Sequence, residues 1–429
     1  MGFTITEKII MKNTGQTSLK PGDLTTVNVD SAMVHDIFIP FVVSKFADMG
    51  FEKVWDPDKI VLIYDHLVPT SFIEDSRHHK IGDEFAAAHG IKAVYRSEGI
   101  CHQLMPELRH ATPGQIVFGT DSHTTTYGAV GSLSTGIGYT EMAAIFGTGR
   151  LWIKVPPTIK FVINGELPPG VYAKDIILRI LGDIGADGAA YKAMEFAGTT
   201  IENLSVASRM TLCNMAIEAG AKFGVVAPDE KTFAFSGVDG SPYQDLRSDD
   251  DAVYEQVIEY DASTFQPVAA CPSNVDNIKG ITDLVGTRID QGFIGSCTNG
   301  RIEDLAVAAS ILQGRKIAPF TKLIVTPASR SILAEAVEKG YIKTFIEAGA
   351  IIQPPACGLC CGRSGGIVSD GERVIATNNR NFLGRMGSPK SEIFLASPAT
   401  VAASVIEGKI ADPRQYLHVG EAHEPPSLP

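Results

Sequence analysis

Two groups of residues have types and spacings that could do chemistry. The first is sulfur. Cys357-Gly-Leu-Cys360 is a Cys-x2-Cys pair, and Cys361 follows it directly. Such a pair has three readings: half of a zinc site, a redox dithiol, or part of an iron–sulfur site. A structural zinc needs a second ligand pair. A redox dithiol belongs in a thioredoxin-like unit of about a hundred residues, much smaller than this 429-residue chain. Cys297, in GSCTNGRIEDL (295–305), adds a third thiol at another expected strand end. Three thiolates meeting at one sheet edge predict a cluster in which one iron lacks a protein thiolate. Cys101, Cys213, Cys271 and Cys361 then read as small buried hydrophobes.

The second group is acid–base and cationic. Asp65-His66 and Asp121-Ser122-His123 close apolar runs, and His102 lies in GICHQ (99–103). Most histidines are structural, but an adjacent aspartate fixes the tautomer and raises the basicity of the ring. In NNRNFLGR (378–385), Arg380 and Arg385 flank an aromatic within an Asn/Gly-rich loop. That arrangement reads as a bidentate carboxylate clamp rather than solvated surface. An iron with an open position is a Lewis acid that can labilise a C–OH bond, and it would need such proton donors and carboxylate binders.

These residues sit on a repeated unit of apolar β-branched run, polar turn and amphipathic helix. IVLIYDH (60–66), QIVFGTDSH (115–123) and TIKFVING (158–165) read as strands, with a helix over 137–152. YAKDIILRILGDIGADGAA (172–190) and ASRMTLCNMAIEAGAKF (207–223) read as helices, and the acidic stretch 229–251 as loop. From about 291 the rhythm returns with GFIGSC, KLIVTP, AIIQPP, RVIATNN and EIFLASP, with helices expected over 303–313 and 399–408. Strands alternating with helices predict an α/β fold of three-layer α/β/α subdomains with mostly parallel sheets. In such sheets ligands bind outside the carboxyl ends of the strands. Asp65-His66, Asp121 to His123, Ser296 to Asn299, Cys357 and Asn378 to Arg385 all fall there. Turn chemistry explains Asp, Asn and Ser at strand ends, but not cysteine and histidine at the same places. We expect subdomains at 1–157, 158–286 and 287–429, the last ending in a loose tail, HEPPSLP.

Composition narrows the function classes. Apolar residues make up 44% of the chain, enough to exclude disorder as its main theme. The formal charge is −12 and no Lys/Arg cluster stands out, which argues against nucleic acid or an anionic membrane as partner. No apolar run approaches the roughly 20 residues of a membrane span. The N-terminus lacks a signal peptide's apolar core, and seven cysteines do not make a secreted disulfide scaffold. A cytoplasmic protein is expected.

Several blocks in order resemble the aconitase superfamily: DSHTTTYGAVGSLSTGIGYTEMA (121–143), GSCTNGRIEDL, CGLCCG (357–362) and NNRNFLGR. YDHLVP (64–69), GICHQ and TLCNMAIEAGA (211–221) support them, and the likeness runs from about residue 20 to 410. The wording is most similar to the large subunits of the two-chain branch. The resemblance implies a hydro-lyase that isomerises a substituted malate by dehydration and rehydration. Isopropylmalate, and with it leucine biosynthesis, comes first; homoaconitase-type and methyl-substituted malate substrates come next. It implies a 4Fe–4S cluster on Cys297, Cys357 and Cys360. Asp65, His66, His102, Asp121, His123 and Glu218 would be the acid–base and hydrogen-bonding groups. Ser122, Asn214 and Asn299 would lie in the polar shell around cluster and substrate, and Arg380 and Arg385 would hold a substrate carboxylate. Where aconitases commonly carry glutamine, VDSAMVHD (29–36) offers His35.

Single-chain relatives carry a further swivelling domain, and only 19 residues follow position 410. A small partner subunit is therefore expected to supply that domain, in a heterodimer or heterotetramer. Two other classes compete: a non-catalytic iron-sensing cluster protein, disfavoured by the acidic balance, and a redox dithiol protein.

Overall fold

The computed structural model describes residues 2–417; the expected loose tail lies outside them. The chain packs as two compact units. The first comprises Met1–Arg96, Cys101–Asn164 and Asp187–Tyr260, and the second comprises Ser97–Ile100, Gly165–Ala186 and Asp261–Pro429. The three-way division expected from the sequence differs from this packing. The first unit holds three sheets, and the second draws its segment 165–186 from the middle of the chain.

In the first unit, five strands form one sheet in the order Ala93–Arg96, Ile60–Tyr64, Ser31–His35, Ile116–Gly119, Leu133–Gly136. All neighbours are parallel. IVLIY and IVFG are continuous apolar runs because both faces of those strands are covered, and every residue in them is buried. Numbered along the chain, the strand order is 3-2-1-4-5, the doubly wound pattern. Its switch point lies between Ser31–His35 and Ile116–Gly119, where strands on either side run outward in opposite directions and leave a crevice. A second sheet pairs Thr158–Asn164, Ala193–Ala197 and Phe223–Val226 in parallel. An antiparallel ribbon joins Leu24–Asn28 to Arg150–Lys154.

The second unit repeats the order. Its parallel strands run Glu392–Leu395, Arg373–Ala376, Gln291–Ile294, Lys322–Val325, Ile351–Ile352, again 5-4-1-2-3. Val268–Ala270 and Ile278–Gly280 extend one edge antiparallel. The switch point here lies between Gln291–Ile294 and Arg373–Ala376. The helices Ile302–Leu312 and Pro398–Glu407 pack together through buried alanines (Ala306, Ala309, Ala399, Ala402, Ala403), which let the two backbones approach closely.

Three sequence expectations are corrected at their edges. The helix expected over 137–152 is Tyr139–Thr148; Gly149 takes φ 67 and ends it, and Arg150–Lys154 leaves as a strand. The helix expected over 207–223 is Val206–Met215, followed by a 3-10 turn and the strand Phe223–Val226. The acidic stretch expected as loop contains the helix Glu230–Ser236, because the Asp229 side chain caps it by accepting from Thr232 N and three of its residues, Thr232, Phe233 and Ser236, bury.

Candidate active site

In the first unit the reactive residues gather at the switch point. Asp121 caps the 3-10 turn Ser122–Val130, its side chain accepting from His123 N at 2.8 Å. The threonine run inside this turn is fully buried. It is tolerated because each hydroxyl bonds back to the chain: Thr124 to Asp121 O (2.7 Å), Thr125 to Asn214 O (3.3 Å), Thr126 to His123 O (2.6 Å). Asn214 answers by donating to Thr126 Oγ1 at 2.8 Å. Gly128 is required for this packing: a Cβ there would lie 1.6 Å from the Gly224 carbonyl oxygen of the neighbouring strand.

Asp121 is the hub. Its Oδ1 lies 2.8 Å from His102 Nε2 and 3.2 Å from His123 Nδ1. Its Oδ2 lies 3.7 Å from His66 Nε2 and 4.0 Å from His35 Nε2. One carboxylate thus faces four imidazoles. Burial alone would raise its pKa, yet the bonds and charge of His102, His123 and His66 hold it well below the ordinary carboxylate range. His102 is fully buried, which pushes its pKa down against the pull of Asp121. Its Nδ1 faces Tyr127 Oη at 3.1 Å. A carboxylate only accepts, so His102 carries a proton on Nε2; a neutral ring of that tautomer accepts from the tyrosine hydroxyl at Nδ1.

His123 meets two carboxyl groups. Its Nδ1 lies 3.2 Å from Asp121 Oδ1 and its Nε2 lies 2.8 Å from Glu218 Oε1. An imidazole held between two carboxyl oxygens can pass a proton from one side to the other. His66 Nδ1 bonds Asp65 Oδ1 at 2.7 Å, while Asp65 Oδ2 accepts from Cys101 N at 2.7 Å. His35 stacks on His66 with ring centroids 4.0 Å apart. It is buried, and among the described residues neither of its ring nitrogens has a hydrogen-bond partner. Ser122 is partly exposed at the start of the turn.

In the second unit the thiols gather at the other switch point. Beyond Gln291–Ile294 the chain turns through Ser296 in the left-handed region (φ 75), held by its hydroxyl contact with Thr298 Oγ1 at 2.7 Å. Arg301 donates to Cys297 O at 2.6 Å and Thr298 O at 2.7 Å. Asp304 accepts from Asn299 Nδ2 at 2.8 Å and Arg301 N at 2.9 Å, and burial raises its pKa to about 6. Cys357 precedes the 3-10 turn Gly358–Cys361. Asn379 joins the two segments: its Nδ2 lies 3.4 Å from Cys297 Sγ, and its Oδ1 lies 3.7 Å from Cys360 Sγ. Arg385 Nη2 lies 3.7 Å from Cys360 Sγ, and its buried Nε has no hydrogen-bond partner among the described residues. Arg380 is half-buried and contributes its carbonyl oxygen to Asn378 Nδ2 at 3.2 Å.

The donor set fits a thiolate-bound group. All seven cysteines are free, and Cys297, Cys357 and Cys360 are buried. The Cys357 thiol is pushed well above its usual pKa by Cys360, then by Cys361 and by burial. Crowded protonated thiols release protons when a soft metal binds, and sulfur donors select iron–sulfur, zinc or copper(I) over hard cations. Cys361 Sγ bonds its own turn at Gly358 O (3.2 Å) and is partly exposed.

Every site residue named from the sequence falls at one switch point or the other. Four residues with clear parts in the geometry were not singled out. Asp36 follows His35 at a strand end, and Tyr127 closes the threonine run. Asn379 sits inside the arginine loop. Lys174, fully buried, donates to Thr377 O (2.8 Å) and Asn378 O (2.7 Å) and so pins the start of that loop. Asp36 and Asn379 carried a signal, being polar residues next to a named one at a strand end. Lys174 carried none, because a lysine in an amphipathic helix reads as surface.

Among the described residues no helix is long and apolar enough to cross a membrane. The sequence profile of the aconitase family (aconitate hydratase) matches residues 7–287 and 280–408. The chain is 50% identical over 422 residues to the 3-isopropylmalate dehydratase large subunit 1 of Methanopyrus kandleri, covering 97% of this chain and 100% of that one. It is 48% identical over 420 residues to the 3-isopropylmalate dehydratase large subunit of Halothermothrix orenii, with coverage of 97% and 100%. In fold it is similar to the holo form of Thermococcus kodakaraensis aconitase X, with a TM-score of 0.50 and 14% identity over 89% of this chain and 94% of that one.

Proposed function

Because the chain belongs to the aconitase family, we propose that it is the cluster-bearing large subunit of a hydro-lyase that interconverts 2-isopropylmalate and 3-isopropylmalate. The reading is supported most by one observation: an aspartate facing four histidines, one of which, His123, is held between that aspartate and Glu218. An isomerisation by dehydration and rehydration needs groups that can give a proton to a leaving hydroxyl and take it back from water.

Cys297, Cys357 and Cys360 would hold a 4Fe–4S cluster, three thiolates leaving one iron without a protein ligand. Such an iron supplies Lewis acidity toward a hydroxyl and a neighbouring carboxylate. Glu218 takes or gives a proton through His123 Nε2. Asp121 keeps His123 and His102 oriented and balances the charge as that proton moves. His66, its Nδ1 proton committed to Asp65, presents Nε2 to the substrate side. His35 offers two unmet ring nitrogens to a substrate oxygen. Ser122, Asn214 and Asn299 order the polar surroundings. Arg385 offers its unmet Nε and, with Arg380, fixes a carboxylate. An aromatic, Phe382, lies against the Arg385 guanidinium at 5.6 Å and limits its swing.

The relatives are named as large subunits, and a small subunit carrying the swivelling domain is the partner we propose. The isolated, anaerobically reconstituted chain should hold its cluster yet show essentially no dehydratase turnover, and adding the small subunit should restore it. Equal turnover with and without the partner would overturn the two-chain reading. The substrate side chain follows the named relatives; homoaconitase-type or methyl-substituted malates are the alternatives that a substrate panel separates.

A further inference from the structure

The histidine cluster has a support behind it that takes no part in the roles above. Asp36 is fully buried at the end of the strand Ser31–His35. Its Oδ1 accepts from His66 N at 3.1 Å and its Oδ2 from Leu67 N at 2.9 Å. It therefore grips the backbone of the turn in which Asp65 orients His66. A third donor reaches it from another element: His79, on the helix Ile73–His89, brings Nε2 to 3.2 Å from Asp36 Oδ2. The carboxylate accepts only, so His79 carries a proton on Nε2. Burial would raise the Asp36 pKa, but His35, His79 and His66 hold it below the ordinary range, so it stays ionised while buried.

His79 is itself held in place. Its ring stacks on Tyr64 with centroids 4.6 Å apart and planes 11° from parallel. Tyr64 donates to Asp83 Oδ1 at 2.7 Å, and Asp83 pairs with Arg96 at the surface. A chain of fixed contacts thus runs from a surface ion pair through Tyr64 and His79 to Asp36 and the His66 backbone.

We propose that His79 is a positioning residue for the reaction, acting through Asp36 to fix the turn Asp65–Leu67 and so aim the His66 ring. A buried carboxylate that loses one of its donors is left with an uncompensated lone pair. It relieves this by shifting toward water or another donor, and its grip on His66 N and Leu67 N loosens with it. An ångström of misplacement at a reacting group lowers turnover without removing substrate contacts.

The proposal rests on the hydro-lyase reading for its kinetic consequence but not for its structural one, so the test has both arms. His79→Leu removes the donor, and His79→Gln replaces Nε2–H with an amide N–H. In the reconstituted holo-chain with its partner, His79→Leu should lower kcat by about ten- to hundredfold with KM near the wild-type value. Iron content should be unchanged. Hydrogen exchange followed by mass spectrometry should show faster exchange in the peptide spanning 65–68, with the strands Ile60–Tyr64 and Ile116–Gly119 still protected. His79→Gln should restore both readouts. Wild-type exchange at 65–68 in His79→Leu, or loss in His79→Leu that His79→Gln does not rescue, overturns the proposal. Faster exchange at 65–68 and its rescue, in a wild-type enzyme that turns over no substituted malate, sustains the positioning role and overturns the hydro-lyase reading instead.

Discussion

Replacing Asp121 with Asn is expected to reduce kcat by about a hundred- to ten-thousandfold, the span general acid–base catalysis contributes, with iron content unchanged. The reason is the number of groups that depend on one charge. Asp121 accepts from His102 Nε2 and from His123 N and Nδ1, and it faces His66 and His35. Asparagine can keep its one oxygen in the place of Oδ1, where His102 and His123 both bond, but it then turns an NH2 toward His66 and His35 and carries no negative charge to hold the four rings. The substitution also takes the negative charge from the Nδ1 side of the His123 ring, so that ring no longer links two carboxyl groups. Glu218→Gln tests the same ring from its other side. The amide keeps a contact with His123 Nε2 but cannot exchange a proton, so folding and iron binding should persist while turnover nearly stops. Near-normal kcat in either variant would show that this arrangement is structural.

The second large effect concerns the thiols. Serine at Cys297, Cys357 or Cys360 should abolish the brown colour and reduce the iron bound from about four atoms per chain. Serine at Cys361 should leave both in place. The difference follows from geometry. Cys297 and Cys360 share one amide, that of Asn379, and Cys357 crowds first against Cys360 and then against Cys361. Cys361 Sγ is tied to Gly358 O and is partly exposed. Iron analysis and absorption spectra of the four variants, reconstituted side by side without oxygen, check this directly. Loss of iron in Cys361→Ser with retention in Cys360→Ser would reassign the third ligand. Exposure of the wild-type protein to air should remove one iron first, since an iron with no protein thiolate is the least firmly held.

Much of this was legible because α/β topology concentrates chemistry at strand ends. Runs such as IVLIY and IVFG are apolar at every position only when a strand is covered on both faces, so their last residues had to face a crevice or a turn. Asp65-His66 and Asp121 to His123 could therefore be located from local pattern alone. What a local pattern cannot encode is which strand ends are neighbours. That Asp36 grips the His66 backbone depends on Ser31–His35 lying beside Ile60–Tyr64, a pairing between segments about 30 residues apart. Lys174 was missed for the same reason: its partners, Thr377 and Asn378, lie more than 200 positions away. The helix Glu230–Ser236 was missed because a single capping aspartate outweighed an acidic, Gly- and Pro-rich neighbourhood. The twofold use of the 3-2-1-4-5 order is likewise a property of sheet pairing that composition does not carry.

One assay decides whether this chain is the cluster-bearing part of a hydro-lyase for a substituted malate. The anaerobically reconstituted chain, mixed with its small subunit, is offered 2-isopropylmalate, a homoaconitase-type substrate and a methyl-substituted malate. Formation of the dehydrated alkene is followed by its ultraviolet absorbance, and the isomer by proton NMR. A substituted malate should turn over through the alkene, with the highest kcat/KM for 2-isopropylmalate, conversion to 3-isopropylmalate and complete dependence on bound iron. A mixture loaded with its cluster that dehydrates none of the three would contradict the hydro-lyase reading.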